Sequence, residues 1–410
     1  MKVVLAAYGS RGDVEPFAAV GRELLRRGHD VCMAVPPHMC GFVESAGLEV
    51  VAWGPEPAFQ PESLKWFFGR CTPWQVGGDF VPVANGQNTV GAMIEMMEHV
   101  ARAHAEWGTR LATLAKGADL LLASKGQQGL AVNVAEYYDI PLAVLQFFPG
   151  EQSRPGGMLG DIIKDAEDAQ RRALGLPQAT GSFELLEIHA YDELCFPEVA
   201  TEWAKHGGRW PFVGALTLES PTDADDDVLS WIAAGTPPIY FGFGSNVRIP
   251  SPTALVAEIS AACSQLGERA LVCSLATDFA DIPHFDNMKV VESVNHAAIF
   301  PACRAVVHHG GAGTTAAGLR AGVPTLILWF SIEDQPMWAA AVERLEMGSG
   351  RAFSASTVPS LVADLRSILT PQCFTRAREV AAQMTKPAES VATAADLLEE
   401  AVRRGAQADR

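Results

Sequence analysis

The chain has 410 residues, a length that suggests two domains of ordinary size. Hydrophobic residues are 48% and charged residues 19%, so the chain is globular, with apolar material for real cores. A net charge of −17 and a pI near 5.0 argue against a nucleic-acid partner but leave small anions open, because a local cluster of donors overrides the mean field.

Residues 2–8 are a continuous apolar run, as expected of a strand buried on both faces. This opening reads as a core strand and not as a signal peptide. The loop GSRGD follows, and VEPFAAVGRELLRRG then reads as a helix with Pro16 near its start and Gly28 to stop it. HDVCMAVPP returns as a strand and closes one βαβ unit. Further strands are expected at residues 118–124 and 141–148, with a helical pattern over 89–115. Trp66, Phe67, Phe68 and Trp74 make an aromatic-rich stretch. It reads either as a surface for an apolar ligand or as core beneath a long loop, and Phe147 and Phe148 carry the same two readings. The pair Arg171 and Arg172 reads as solvated surface.

Around residues 214–228 the composition changes. LTLESPTDADDD is acidic, turn-rich and poor in core residues, which places a linker there. Its D-x-D reads as part of a solvated charge run and not as a metal site. After it the alternation restarts. PPIYFGFG is a strand, SPTALVAEISAACSQLG a helix, and ALVCSLA, MKVVESV, RAVVHHG and PTLILWF are strands with helices between them. The order predicts an α/β chain of two doubly wound parallel-sheet domains, with a ligand cleft between them. The expected division is 1–214, a linker at 215–228, a second domain at 229–390, and a closing helix at 391–410 that packs back on the first domain. The eight cysteines are scattered and none forms a C-x-x-C pair, so neither a zinc site nor a redox motif is indicated. Scattered thiols fit a reducing cytoplasm. No apolar run approaches the roughly 18 residues a membrane span needs.

Chemistry concentrates in VHHGGAGTT, residues 307–315. Consecutive side chains on a strand point to opposite faces, so His308 and His309 cannot easily chelate one metal together. The glycines turn the chain into a helix whose first N–H groups and dipole suit a phosphate, with Thr314 and Thr315 adding hydroxyls. No G-K-[ST] occurs, so this is not a P-loop. A tight turn with packed histidines is the alternative. Asp334 and Gln335 stand at the next helix entrance, before Pro336. They read either as an N-cap or, at the carboxyl end of a parallel strand, as partners for sugar hydroxyls. Asp13, in GSRGD, has the same alternative of a helix cap.

In combination these passages are more specific than singly. HHGGAGTT, RAGVPTLIL, EDQPMWA and VERLEMG resemble the C-terminal donor signature of glycosyltransferase family 1, the inverting GT-B enzymes. YGSRGDVEPFAAVGRELLRRGHDV looks like the N-terminal signature of its bacterial branch, which includes antibiotic (glycopeptide-type) and mycobacterial glycolipid transferases. The resemblance is strong at residues 1–36 and 291–348 and weak between about 55 and 210. It implies a Rossmann-like acceptor-binding domain followed by a donor-binding domain. It implies that His309 contacts the donor pyrophosphate, that Gly311, Gly313 and Thr314 cradle it, and that Gly244 and Ser245 meet the phosphates. Asp334 and Gln335 would grip the donor sugar, the backbone at Val294 would meet the nucleobase, and Ser10 would join the donor-binding residues. Asp13 would be the general base. Trp66, Phe67, Trp74, Phe147 and Phe148 would hold the acceptor. Many plant relatives carry a ribose-binding glutamate where this chain has Ala317, a departure that leaves the nucleobase open.

The expected function is metal-independent inverting transfer from a nucleoside diphosphate sugar, TDP or UDP, to a hydroxyl of a small natural product or lipid. No cofactor, metal or nucleic acid is expected. The protein would be cytoplasmic, without a transmembrane segment, with peripheral membrane contact left open. A nucleotide-sugar epimerase and a non-catalytic sugar-nucleotide-binding partner are the alternatives.

Overall fold

The structure is a computed structural model that describes residues 1–54, 89–149, 157–179, 183, 185–203, 205, 211–218, 221–244, 252–273, 285–330 and 334–408. The chain divides into two compact units. The first comprises Met1–Ala190, Glu198–Thr217 and Pro387–Arg410, and the second Tyr191–Pro197 and Leu218–Lys386.

The first unit is a six-stranded parallel sheet of β1 (Lys2–Ala6), β2 (Asp30–Val35), β3 (Glu49–Ala52), β4 (Leu120–Ser124), β5 (Leu142–Gln146) and β6 (Leu186–His189). Their order is β3-β2-β1-β4-β5-β6, so the winding reverses between β1 and β4. Those two strands pair Val3 with Leu120 and Ala6 with Ala123. Every residue of β4 and β5 is buried, which is why these strands read as unbroken apolar runs.

The first helix, Arg11–Arg26, starts three residues earlier than its hydrophobic pattern suggests, with Ser10 as N-cap and Pro16 inside it. Pro16 is the sixth residue of that helix, so it takes one i→i−4 bond from the Gly12 carbonyl. The remaining helical bonds and a buried face of Val14, Phe17, Ala18 and Leu24 hold the helix regardless.

Arg171 is not the surface residue its charge suggested. It is buried and bonds Glu136 through both Nη atoms at 2.7 Å, while Nη1 also reaches Asn133 Oδ1 at 3.1 Å. Arg172 is exposed. A buried guanidinium is tolerable only with such partners. The helix Pro387–Ala408 lies against the first helix: Arg27 meets Asp396 at 2.6 Å and His29 meets Glu399 at 2.8 Å.

The second unit repeats the architecture with β7 (Ile239–Gly242), β8 (Ala270–Cys273), β9 (Met288–Val291), β10 (Ala305–His308), β11 (Thr325–Trp329) and β12 (Gly348–Ala352), in the order β12-β11-β10-β7-β8-β9. Here the winding reverses between β7 and β10. One face of the sheet packs Phe241, Val272, Val307 and Leu326 against Val256 and Leu365, and the other packs Tyr240, Leu271 and Val306 against Phe300.

The acidic run expected as a linker opens a helix, Asp225–Ala233. Asp225 is buried and accepts from Thr222 N–H at 2.8 Å, the Thr222 hydroxyl at 2.7 Å and Asn295 N–H at 2.9 Å. Asp227 pairs with Lys289 at 2.7 Å. Three carboxylates at a helix N-terminus complement its dipole, which explains why this run folds instead of remaining solvated. The short segment Tyr191–Pro197 is anchored in the same unit by Tyr191 and Phe196 against Trp338, and by Arg344 donating to the Leu194 and Cys195 carbonyls. Among the described residues no helix is long and apolar enough to cross a membrane.

Candidate functional site

In open parallel sheets ligands lie beyond the carboxyl ends of the strands, where the winding reverses. In the second unit that point lies between β7 and β10, and the HHGG passage leaves β10 there. His308 is the last residue of β10 and wholly buried. Its Nδ1 accepts the Gly310 N–H at 3.0 Å, and burial holds its pKa well below the ordinary value. It is a neutral residue fixing a turn.

His309 projects elsewhere, its ring 6.2 Å from that of His308 and inclined at 81°. A Cβ on Gly244 would lie 2.7 Å from His309 Cε1, and one on Gly311 would lie 2.6 Å from Nε2. Both contacts are shorter than packing permits, so these two glycines make room for the imidazole. Burial pulls the His309 pKa down to about 4, against a hydrogen bond with the Gly242 backbone that acts to raise it. At neutral pH the ring is uncharged.

The helix Ala312–Ala321 begins directly after, capped by Gly311 in extended conformation. The Thr315 hydroxyl is spent on the Gly311 carbonyl at 2.9 Å, whereas Thr314 is half-buried and Gly313 exposed. Of the two threonines, only Thr315 spends its hydroxyl on the backbone among the described residues. Gly310 has φ +94°, and a Cβ there would lie 2.9 Å from Ile327 Cγ2 and 3.1 Å from Gln335 Cβ. That close approach brings the glycine loop against the start of the helix Gln335–Arg344. Gln335 Oε1 accepts the Phe330 N–H at 2.8 Å, tying this helix entrance to the end of β11. Asp334 occupies the N-cap but makes no capping hydrogen bond through its side chain, so capping does not account for it.

Val294 is buried in the core beside Ile299 and Phe300, and Ala317 packs partly against the same cluster. Ser245 lies outside the described residues, as do Trp66, Phe67, Phe68 and Trp74.

In the first unit the GSRGD loop leaves β1 at that sheet's own reversal point. Asp13 is the third residue of the first helix and forms a capping box with Ser10. Its Oδ2 accepts the Ser10 N–H at 2.6 Å and the Ser10 hydroxyl at 3.0 Å. Burial raises the Asp13 pKa, and the Ser10 hydrogen bonds oppose it. Phe147 and Phe148 are half-buried, and Phe147 packs edge-on against Phe17 at 6.2 Å. Sequence reasoning passed over Tyr8. It lies two residues beyond β1, with its ring 4.4 Å from Trp107 and 6.5 Å from Trp53. The available signal was an aromatic residue immediately before GSRGD.

Comparison with known proteins gives this geometry its family. Residues 244–401 match the family described as "Erythromycin biosynthesis protein CIII-like, C-terminal domain", and residues 3–70 match "Glycosyltransferase family 28 N-terminal domain". A relative from Mycobacterium leprae (strain TN), "Uncharacterized glycosyltransferase ML2348", is 55% identical, with 98% of each chain covered. The solved structure of the glycotransferase of kitacinnamycin superposes with a TM-score of 0.71 at 18% identity, covering 98% of each chain. That of glycosyltransferase VinC in complex with DTDP gives 0.66 at 17%, covering 98% of this chain and 100% of that one. Two six-stranded parallel sheets of this winding define the GT-B class of glycosyltransferases. With a glycosyltransferase relative 55% identical over nearly the whole of both chains, the chain belongs to the glycosyltransferases.

Proposed function

We propose that the protein transfers a sugar, with inversion, from a thymidine or uridine diphosphate sugar to a hydroxyl of a small natural product or lipid. The observation that carries this is the neutral His309 ring, seated between Gly244 and Gly311 next to the open N-terminus of the helix Ala312–Ala321. Amides, a hydroxyl and an imidazole suit a diphosphate. The complex of VinC with DTDP supports a thymidine donor. Asp334 and Gln335 would take the donor sugar's hydroxyls.

In the reaction Asp13 accepts the proton of the acceptor hydroxyl. The acceptor oxygen bonds to the anomeric carbon from the face opposite the leaving group. The bond from that carbon to the diphosphate oxygen breaks, and the diphosphate keeps the electron pair. The transition state is oxocarbenium-like. Charge growing on the diphosphate is met by the amides of Gly313 and Thr314, the Thr314 hydroxyl and His309, each good donor contributing about 3 kcal/mol. With those donors supplied by the chain, the transfer takes no divalent metal and no cofactor. Burial raises the Asp13 pKa, which makes its carboxylate a stronger base.

The test is a matrix of nucleoside diphosphate sugars and hydroxylated acceptors, run with and without chelator and with product stereochemistry assigned. Inverted product that persists in EDTA is expected. Retained relative configuration, activity restored only by Mn²⁺ or Mg²⁺, or epimerised donor without acceptor each overturns a named part of the proposal.

A further inference from the structure

The GSRGD loop grips its carboxylate by one oxygen. Both Ser10 donors converge on Asp13 Oδ2, the backbone N–H at 2.6 Å and the hydroxyl at 3.0 Å. Gly9 makes the fold-back feasible: its φ is +144°, and a Cβ there would lie 2.2 Å from that oxygen. Oδ1 accepts no hydrogen bond from another described residue. On the same helix the nearest ionic groups, Arg11 and Glu15, are paired with each other at 2.9 Å. No charged side chain on any other described element acts on the Asp13 carboxyl.

We propose that Ser10 is a positioning residue of the transfer, occupying Oδ2 with both its donors and so reserving Oδ1 for the acceptor's proton. The proposal rests on Asp13 being the general base. The terminal torsion of an aspartate is soft, so a carboxylate held at neither oxygen would present both in turn and lose orientation. Two hydrogen bonds to a single oxygen remove that freedom. They also favour the ionised form, which keeps the base available although burial disfavours its charge. Ser10 is thus assigned to the base and not to the donor phosphates, and the obligatory glycine before it serves the same end.

The test compares Ser10→Gly, which loses the hydroxyl at little cost to the helix cap, with Ser10→Thr, which keeps it. Measured for each are kcat and kcat/KM against pH, and TDP affinity by calorimetry. In Ser10→Gly kcat should fall about tenfold, as expected for a loosened reacting group. Losing a bond to the ionised form raises the pKa, so the acid limb of kcat/KM should move up by about one pH unit. Ser10→Thr should restore both, and TDP affinity should not change in either. A wild-type limb and rate in Ser10→Gly overturns the proposal. So does an equal loss in Ser10→Thr, or a loss matched by weaker TDP binding, which would make Ser10 a donor ligand. The underlying assignment fails separately: an Asp13→Asn enzyme with normal turnover removes the base, whatever Ser10 does.

Discussion

Under the proposed reaction Asp13 would join two roles that local sequence presents as alternatives. Its Oδ2 completes a capping box with Ser10, while its Oδ1 accepts no hydrogen bond from another described residue. Substitution separates the two. Asp13→Asn keeps an oxygen for the Ser10 N–H, and Asn caps about as well as Asp. Fold and donor affinity should survive while kcat falls about 10²-fold or more, the usual worth of a general base. Asp13→Ala should lose the same activity and also about 0.5–2 kcal/mol of stability, read from a urea midpoint. Normal kcat in Asp13→Asn with only Asp13→Ala impaired would leave the carboxylate a cap and nothing more. The paired histidines divide likewise. His309→Ala should weaken TDP binding about tenfold or more with little change in stability. His308→Ala removes a buried ring that holds the Gly310 N–H, so it should cost about 2–4 kcal/mol of stability. If His308→Ala folds as stably as its parent and binds TDP no better than His309→Ala, their assigned facings are reversed.

In the second half β7, β8, β10 and β11 were legible because each is an apolar run buried on both faces, whereas β12, GSGRA, is half-buried, carries no apolar run and was not expected. What escaped reading depends on partners distant in the chain. Arg171 finds Glu136, 35 positions away, and that is why it is buried. Asp225 finds Asn295, 70 positions away, and the presumed linker becomes a helix start. Pro16 looked like a helix opening because proline favours first turns, yet the capping box of Ser10 and Asp13 starts the helix earlier. The glycine passage was legible as a strand-to-helix turn, but not that its glycines, with Gly244 beyond another strand's end, house an imidazole. That arrangement predicts the behaviour of Gly311→Ala. Gly311 has φ −64°, which alanine adopts freely, so the backbone is not strained. The new methyl would lie 2.6 Å from His309 Nε2 and must displace the ring. TDP affinity should fall about tenfold while the thermal midpoint stays within a few degrees, checked by calorimetry and a melting curve. Unchanged affinity would mean that the ring sits elsewhere when donor is bound.

Both units hold histidines whose pKa burial lowers. His189 in the first unit is pulled down to about 3, chiefly by burial and then by Lys125. In the second unit burial takes His309 to about 4 and His308 well below its ordinary value. Each folded pKa lies below the unfolded one, near 6.5. Above that pH neither state binds the proton, and the contribution to stability is complete. As pH falls below about 6.5 the unfolded chain takes up protons that the folded one refuses, so stability is lost until the folded pKa is passed. Where one histidine is protonated only on unfolding, the slope is about 1.4 kcal/mol per pH unit, and where two are, about 2.7. Glu23, lowered to about 2 first by its bond to Arg26, adds its own loss only between about 4.5 and 2, outside this window. Between pH 6.5 and 4.5 the second unit should therefore lose stability through His308 and His309, and the first through His189 with a smaller share from the more exposed His38, whose pKa partial burial also lowers. Hydrogen exchange resolved by peptide measures this directly, comparing amides of β10 and β11 with those of β1 and β4. Replacing His308 and His309 with asparagine should flatten the second unit's slope even if it lowers stability at pH 7, because the slope counts only protons. A second-unit slope that survives that double substitution would mean that other groups govern its acid response.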